Sequence, residues 1–521
     1  MTADTHPEFF TQLNLAAVLA NDEFRGRYRW AKGLAWLAWD GRRWAECPEE
    51  AVVEVARIWA LRNVSKAVGD HRTGRAPDSA AVGRWLKTAQ AAGSLRAIVG
   101  LAKGVAGIIT PASAFDRYPD LLNTPTGVVD LRTGTLSKHD PELLLTKITR
   151  ADYVPRKVHP DWLAALEAIP QDCRAYVQLR YGQAITGHMT PDDKLLVQQG
   201  SGENGKTTVM GAIAAALGEY YTHVSDRVIL GNPNDHPTEM MELRGARLAG
   251  VEETPETRQL SVARLKKLIG TPKITARLIR RDSVTFDASH TLVVSTNYTP
   301  LVQETDHGTW RRLMLLRYPY RFRKEQEKLE HSTDRRGDPG LRDRVCRDDA
   351  ASAAVLKWLV DGAVAWYAFD RVMPPEPVRI KTDTDLWRRE ADLVLAYIDE
   401  RMVLDPAGHV MATELLADFN EWLRSHGHRE WGDKMLVSRF TGHDALSGNV
   451  EKQKIRHRPG LSRPTATWSM TALPAPAVYA AWLGLRFAEV EEPPLASRRP
   501  QNLELVPAVP GSTLNAIEGL S

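Results

Sequence analysis

The chain of 521 residues is short of cysteine, of charge imbalance and of long apolar runs, and each shortage removes a class of protein. Its three cysteines, Cys47, Cys173 and Cys346, lie far apart and never in C-x-x-C spacing. That excludes a disulfide framework and a zinc site and fits a reducing cytoplasm. Lys+Arg exceeds Asp+Glu by only +3, 68 against 65, so any affinity for nucleic acid must come from local basic patches rather than a global field. The opening MTADTHPEFF lacks the charged-then-apolar pattern of a signal peptide. The most apolar window, AIVGLAKGVAGII over residues 97–109, is short and interrupted by Lys103, so no membrane span is expected. What remains is an ordinary globular composition, 43% hydrophobic and 26% charged, in a chain long enough for about three to four domains.

One stretch stands out. Residues 200–208 read GSGENGKTT, between the apolar KLLVQQ and the helical VMGAIAAALGEYY. The pattern G-x-x-x-x-G-K-[ST] is a loop whose backbone amides wrap a phosphate chain. It assigns nucleotide binding to Gly200, Ser201, Gly202, Glu203, Asn204, Gly205, Lys206, Thr207 and Thr208. Lys206 is expected on the β- and γ-phosphates and Thr207 on Mg²⁺, with the positive end of the following helix aimed at the phosphates.

Around this loop, from about residue 172 to 320, short apolar runs alternate with helices, which predicts a largely parallel sheet with strands near Leu195–Val197, Leu248–Val251, Leu292–Ser295 and Leu313–Leu316. The organisation expected is an accessory domain over 1–165, mainly helical, and a nucleotide-driven domain over 166–325. A charged linker and helical lid over 326–380, a winged-helix-like domain over 381–475 and a disordered tail over 476–521 complete it. In the accessory part, Asp40-Gly41 between aromatic-rich runs reads as a β-hairpin turn. Trp36, Trp39 and Trp44 are expected in a small local core rather than as a stacking platform for bases. In the last domain, three helical stretches precede VEKQKIRHRPGLSRPTATWSM, which reads as a basic hairpin, or wing. Lys452, Lys454, Arg456 and Arg458 alternate along it and are candidate DNA contacts.

Further parts of a phosphate-cleaving site follow the loop in order. ARLAGVEETPE is an apolar strand ending in Glu252 and Glu253, and a parallel sheet delivers strand C-termini to the crevice beside the loop. Either carboxylate can polarise an attacking water and support the metal. TLVVSTN is a second buried strand, ending in Asn297, placed to sense the γ-phosphate. DHGTWRRLMLLRYP then sets Arg311 and Arg312 immediately before another strand. A guanidinium offers fixed donors to a phosphoryl transition state, and one supplied by a neighbouring subunit would couple cleavage to assembly.

Taken together, GSGENGKTT, RLAGVEET, LKKLIG through ITARLIRR, STNYTP and DHGTWRRL resemble the motifs of superfamily 3 helicases, specifically the helicase portion of the phage/plasmid and poxvirus primase-helicases, over roughly residues 20–470. LLNTPTGVVDLRTGTLSKHDP is similar to the domain preceding those motors. The resemblance implies an AAA+-like motor that assembles as a hexameric ring on single-stranded DNA, with ATP and Mg²⁺ as cofactors. It implies Glu253 as the residue that activates water, assisting the metal with Thr207, and Asn297 as the sensor. It makes Arg312, more than Arg311, the finger acting in trans. Lys266 and Arg277 match the family's basic positions between the second and third motifs. Arg280 and Arg281 are expected at or near the tip of a DNA-tracking hairpin. No paired-Asp primase motif stands ahead of the motor, so priming is expected from a separate protein. A small-molecule kinase would predict a lid and an acceptor pocket rather than a basic hairpin and a winged helix and fits poorly; an initiator or DNA-binding regulator that uses ATP only as an assembly switch stays open.

Overall fold

The computed structural model describes residues 11–73, 91–225, 239–252, 260, 262–277, 283–300, 302, 307–443, 445–464 and 474–488. By their contacts these fall into two units, residues 1–302 with 308–388, and residues 303–307 with 389–521.

In the first unit the chain turns at Asp40-Gly41. Strands β1 (Tyr28–Ala31), β2 (Ala35–Trp39) and β3 (Trp44–Cys47) form an antiparallel sheet in that order. The Asp40 carboxylate accepts the backbone N–H groups of Arg42 and Arg43, both at 2.8 Å, a side-chain turn that stands in for ladder bonds. Trp36 and Trp44 are fully buried, and Trp36 joins Leu15, Phe24, Val52 and Trp59 in one apolar cluster. Beyond the helices Glu49–Arg72 and Ala92–Ala102, a second antiparallel sheet forms from β4 (Leu121–Thr124), β5 (Gly127–Asp130) and β6 (Thr135–Ser137). Among its described residues the accessory segment thus sets two small antiparallel sheets beside its helices. Strands of three to five residues around tight turns carry little periodic signal beside long amphipathic helices.

The expected parallel sheet is present. β7 (Leu195–Gln199), β8 (Tyr221–His223) and β9 (Leu248–Glu252) are followed by a hairpin of β10 (Lys273–Ala276) and β11 (Val284–Asp287), then by β12 (Thr291–Thr296) and β13 (Leu313–Arg317). The five-stranded order is β13-β7-β12-β9-β8, every neighbour parallel. β12 is buried at every position, as a strand covered on both faces must be. The short parallel pair β14 (Arg321–Arg323) and β15 (Asp334–Arg336) follows.

The segment expected as linker and lid contributes to the main core. In the helix Asp349–Ala368, Leu356, Leu359, Val360, Ala363 and Trp366 are fully buried. It lies so close to the helix Arg174–Ala184 that a Cβ on Gly182 would come within 2.0 Å of the Gly362 carbonyl carbon. A helix apolar on nearly all sides is a core helix, whatever charged loop precedes it.

In the second unit the order is helix Leu393–Arg401, β16 (Met402–Met411), helices Ala412–Ser425 and Asp433–Thr441, then β17 (Glu451–Arg456) and β18 (Val478–Phe487). The antiparallel sheet runs β16-β18-β17. Residues 478–487 are thus its central strand and no tail. Their VYAAWLGLRF is rich in the aromatic and apolar residues that favour strands, and the Pro- and Ala-rich flanks mask it.

Candidate active site and nucleic-acid interface

β7 leaves the sheet at Gln199 and enters the glycine-rich loop expected to hold phosphate, and the helix Lys206–Leu217 begins directly after it. Gly205 sits at φ +78°, where a Cβ would also press within 2.6 Å of the Ala168 Cβ. Only glycine satisfies both constraints. At Gly200 an added Cβ would meet the Asn204 Nδ2 at 1.8 Å. Asn204 is buried, and its Oδ1 accepts the Lys206 backbone N–H at 3.2 Å. Its Nδ2 is sealed from solvent without a hydrogen-bond partner, a donor turned into the loop. The loop closes outward as well: the Phe322 N–H donates to the Glu203 carbonyl at 2.7 Å, and Arg321 pairs with the Glu203 carboxylate at 3.3 Å.

Lys206 is buried, and its Nζ donates to the Thr296 carbonyl at 2.6 Å and to the Asn297 Oδ1 at 3.2 Å. The register explains this meeting. Thr296 pairs with Gln199 and Ser295 with Glu252, so β7, β12 and β9 end side by side and present Lys206, Asn297 and Glu252 at one edge. Asn297 and Glu252 are exposed there. Burial, and then the charge of Glu252, push the Tyr221 hydroxyl up to about 12. Thr207 is exposed on the first turn of the helix, open to a metal carried with a nucleotide. Among the described residues no group of three or more His, Cys, Asp or Glu could hold a metal by itself, so a magnesium ion here would depend on Thr207, a carboxylate and the phosphates. Glu253 lies outside the described residues.

Beside the loop opens a pocket of about 380 Å³ lined by Ala164, Ala168, Gly205, Thr208, Phe322, Leu341 and Arg342, among others. Mostly apolar walls, an aromatic ring and a few basic groups at the end of a phosphate loop suit a nucleoside. The sequence hides this wall because Phe322 sits alone in the charged RFRKEQEK run, where a single aromatic carries no periodic signal.

Arg311 and Arg312 lie at the other end of the same sheet. The Arg312 carbonyl accepts the Leu195 N–H at 2.7 Å, which fixes Arg312 beside the first residue of β7, whereas the phosphate loop follows its last. Five residues of strand at ~3.3 Å each separate the two by roughly 15 Å. Arg311 is exposed. Arg312 is largely buried, with NH2 3.7 Å from the Asp193 carboxylate and NH1 donating to the Gly308 carbonyl.

The hairpin β10–β11 stands between the second and third motifs, as expected, with a Thr275–Thr285 hydroxyl bond of 2.9 Å across it. Lys266 and Arg277 are exposed; Arg280 and Arg281 lie outside the described residues. In the second unit, Lys454, Arg456 and Arg458 are exposed, while Ile455 on the opposite face of β17 is buried. Lys452 differs. Its Nζ donates to Asp433 at 2.8 Å and lies 5.8 Å from the Trp482 ring, so it braces the strand against the helix Asp433–Thr441.

Residues 17–171 match a family model described as D5 N terminal like, and residues 198–312 one described as a family of unknown function, DUF5906. A candidate primase of African swine fever virus is 27% identical over 333 residues, covering 60% of this chain and 34% of its own. A candidate helicase of Acanthamoeba polyphaga mimivirus is 20% identical over 336 residues, with the same 60% and 34% coverage. The chain therefore spans about a third of the length of these curated relatives. Among solved structures, the C-terminal region of NrS-1 is similar over 91% of this chain and 99% of that one, at 8% identity and a TM-score of 0.43.

Proposed function

We propose, from its kinship with the replication primase-helicases of large DNA viruses, that this chain is an ATP-driven replicative DNA helicase. It works as a ring, hexameric as the superfamily 3 resemblance implies, that translocates on single-stranded DNA for a viral, phage or plasmid replicon. One observation carries the reading: Lys206 and Arg312 lie at opposite ends of one sheet. An arginine roughly 15 Å from its own phosphate loop serves phosphoryl transfer only by reaching the pocket of a neighbouring copy.

In this reading the nucleoside lies against Phe322 and the phosphates along the loop amides. Lys206 exchanges the Thr296 carbonyl for phosphate oxygens, and Asn297, which touches Lys206 now, registers that exchange. Mg²⁺, bound with the nucleotide at Thr207, would neutralise developing charge, and Glu253 would take a proton from the attacking water. The β10–β11 hairpins would line the channel and follow a backbone without regard to sequence, a role in which the superfamily 3 resemblance implicates Arg280 and Arg281. The second unit fits a winged helix by its element order and its central last strand, and would meet duplex or fork DNA through Lys454, Arg456 and Arg458.

The test is strand displacement from a forked DNA substrate, with Lys206→Ala as the control. ATP-dependent unwinding by the native chain, and none by the variant, is the expected result. ATP turnover stimulated by DNA without any displacement would instead favour an ATP-switched initiator.

A further inference from the structure

We propose that Asp193 is a positioning residue for Arg312: its carboxylate holds the guanidinium in the attitude from which it reaches a neighbouring copy. This rests on the trans role of Arg312 proposed above. Asp193 ends a turn whose N–H donates to the Thr190 carbonyl at 3.3 Å, and it sits in the left-handed region at φ +54°. Aspartate is among the few non-glycine residues that adopt this conformation readily, its short side chain suiting a single left-handed turn position.

The turn is anchored next door. The Asp192 carboxylate accepts two bonds from the buried Arg180, at 2.9 Å from NH1 and 2.7 Å from NH2. Burial works against the charge on Arg180, but these bonds and the contact with Tyr176 hold its pKa above the ordinary value. A fork-to-fork pair of this kind fixes both position and plane. With Asp192 pinned, Asp193 has its direction set, and its Oδ2 stands 3.7 Å from Arg312 NH2. The Gly308 carbonyl takes an NH1 hydrogen on another side of the same guanidinium. One hydrogen bond and one ion pair thus act on different nitrogens of the group and leave further N–H donors unspent, since an arginine carries five. What sets the pair apart is the anchor behind it, the buried Arg180 that pins the adjoining Asp192.

Asp193→Asn isolates the charge, because asparagine tolerates the left-handed backbone and keeps the turn. A misaimed finger is expected to lower kcat for ATP roughly 10- to 100-fold with KM within about twofold, and Asp193→Glu should recover part of the loss. Mixing supplies the readout that a structural role would not move. With excess Lys206→Ala, whose fingers are intact, turnover per Asp193→Asn subunit should rise severalfold, since each crippled-finger subunit then has a sound finger beside its own pocket. Turnover that stays low in the mixture places Asp193 at its own pocket and overturns the inference. If Arg312→Ala is inactive alone but recovers on mixing with Lys206→Ala while Asp193→Asn is unaffected, the trans arginine stands and only the positioning role falls. If Arg312→Ala is fully active, both fall.

Discussion

Phe322→Ala isolates nucleoside recognition from phosphate chemistry. The ring faces the pocket beside the loop and would lie 3.3 Å from a Cβ at Gly205, while its backbone N–H holds the Glu203 carbonyl at 2.7 Å. Alanine removes the ring and keeps the backbone bond. The loop should retain its shape, and Lys206 its partners at the ends of β7 and β12. Stacking of a base on an aromatic side chain is worth ~1–3 kcal/mol by alanine substitution, which at 1.4 kcal/mol per decade weakens ATP binding by about 5- to 150-fold. The lower part of that range is expected, because Ala164, Ala168 and Leu341 still wall the pocket. Phe322→Leu, which keeps apolar area without the π face, should fall between. Titration calorimetry with a non-hydrolysable ATP analogue gives the affinity, and steady-state hydrolysis gives kcat, expected within about twofold of the native value. Inorganic tripolyphosphate, lacking a base, should bind both proteins equally. An unchanged ATP affinity, or a collapse of kcat at normal affinity, would refute the placement of the nucleoside.

Mixed rings test the division of labour across copies. Arg312→Ala and Lys206→Ala are each expected to be inactive alone, yet an equimolar mixture should recover about a quarter of native turnover, the fraction of interfaces pairing a sound pocket with a sound finger if each acts independently. No recovery with co-assembly confirmed by mass photometry would place Arg312 in its own subunit's chemistry or in packing. In the second unit, neutralising Lys454, Arg456 and Arg458 together should weaken duplex binding and flatten its dependence on salt by about 0.9 for each phosphate that is no longer neutralised. An unchanged salt slope would make that strand a merely solvated one. Lys452→Ala, which breaks the brace to Asp433, should lower the melting temperature and leave the salt slope nearly intact. Glu253→Gln should keep ATP binding and lose turnover, and equal loss from Glu252→Gln alone would name the other carboxylate.

The glycine-rich turn between β7 and its helix and the parallel strands were legible in the sequence because their signals are local. Fixed glycines, a lysine and short apolar runs report their own backbone, and β7, β9, β12 and β13 stand where those runs occur. What the sequence withheld depends on distant partners. Phe322 becomes a pocket wall only because β14 folds against Glu203, more than a hundred positions earlier in the chain. Lys452 resembles its neighbours in charge and spacing, but Asp433 claims it. The pair Asp192-Asp193 reads as an ordinary acidic turn until the buried Arg180 and the distant Arg312 are placed on either side of it. β18 was hidden for another reason: proline and alanine around it lowered the average over any window wide enough to judge.

The position of β18 bears on how the second unit forms. It lies between β16 and β17 and is the last of the three to leave the ribosome. Until it arrives, those two strands have no sheet to share. Each exposes a row of unpaired backbone groups, and Leu485 and Trp482, fully buried in the finished cluster, are absent from the nascent core. The unit must therefore close late, through pairings as remote in sequence as Met402 with Phe487, and non-local closure of this kind is slow. Chains that stall or break between β17 and β18 would carry two sticky edges, so aggregation and chaperone capture should track interruptions in that interval more than those after Phe487.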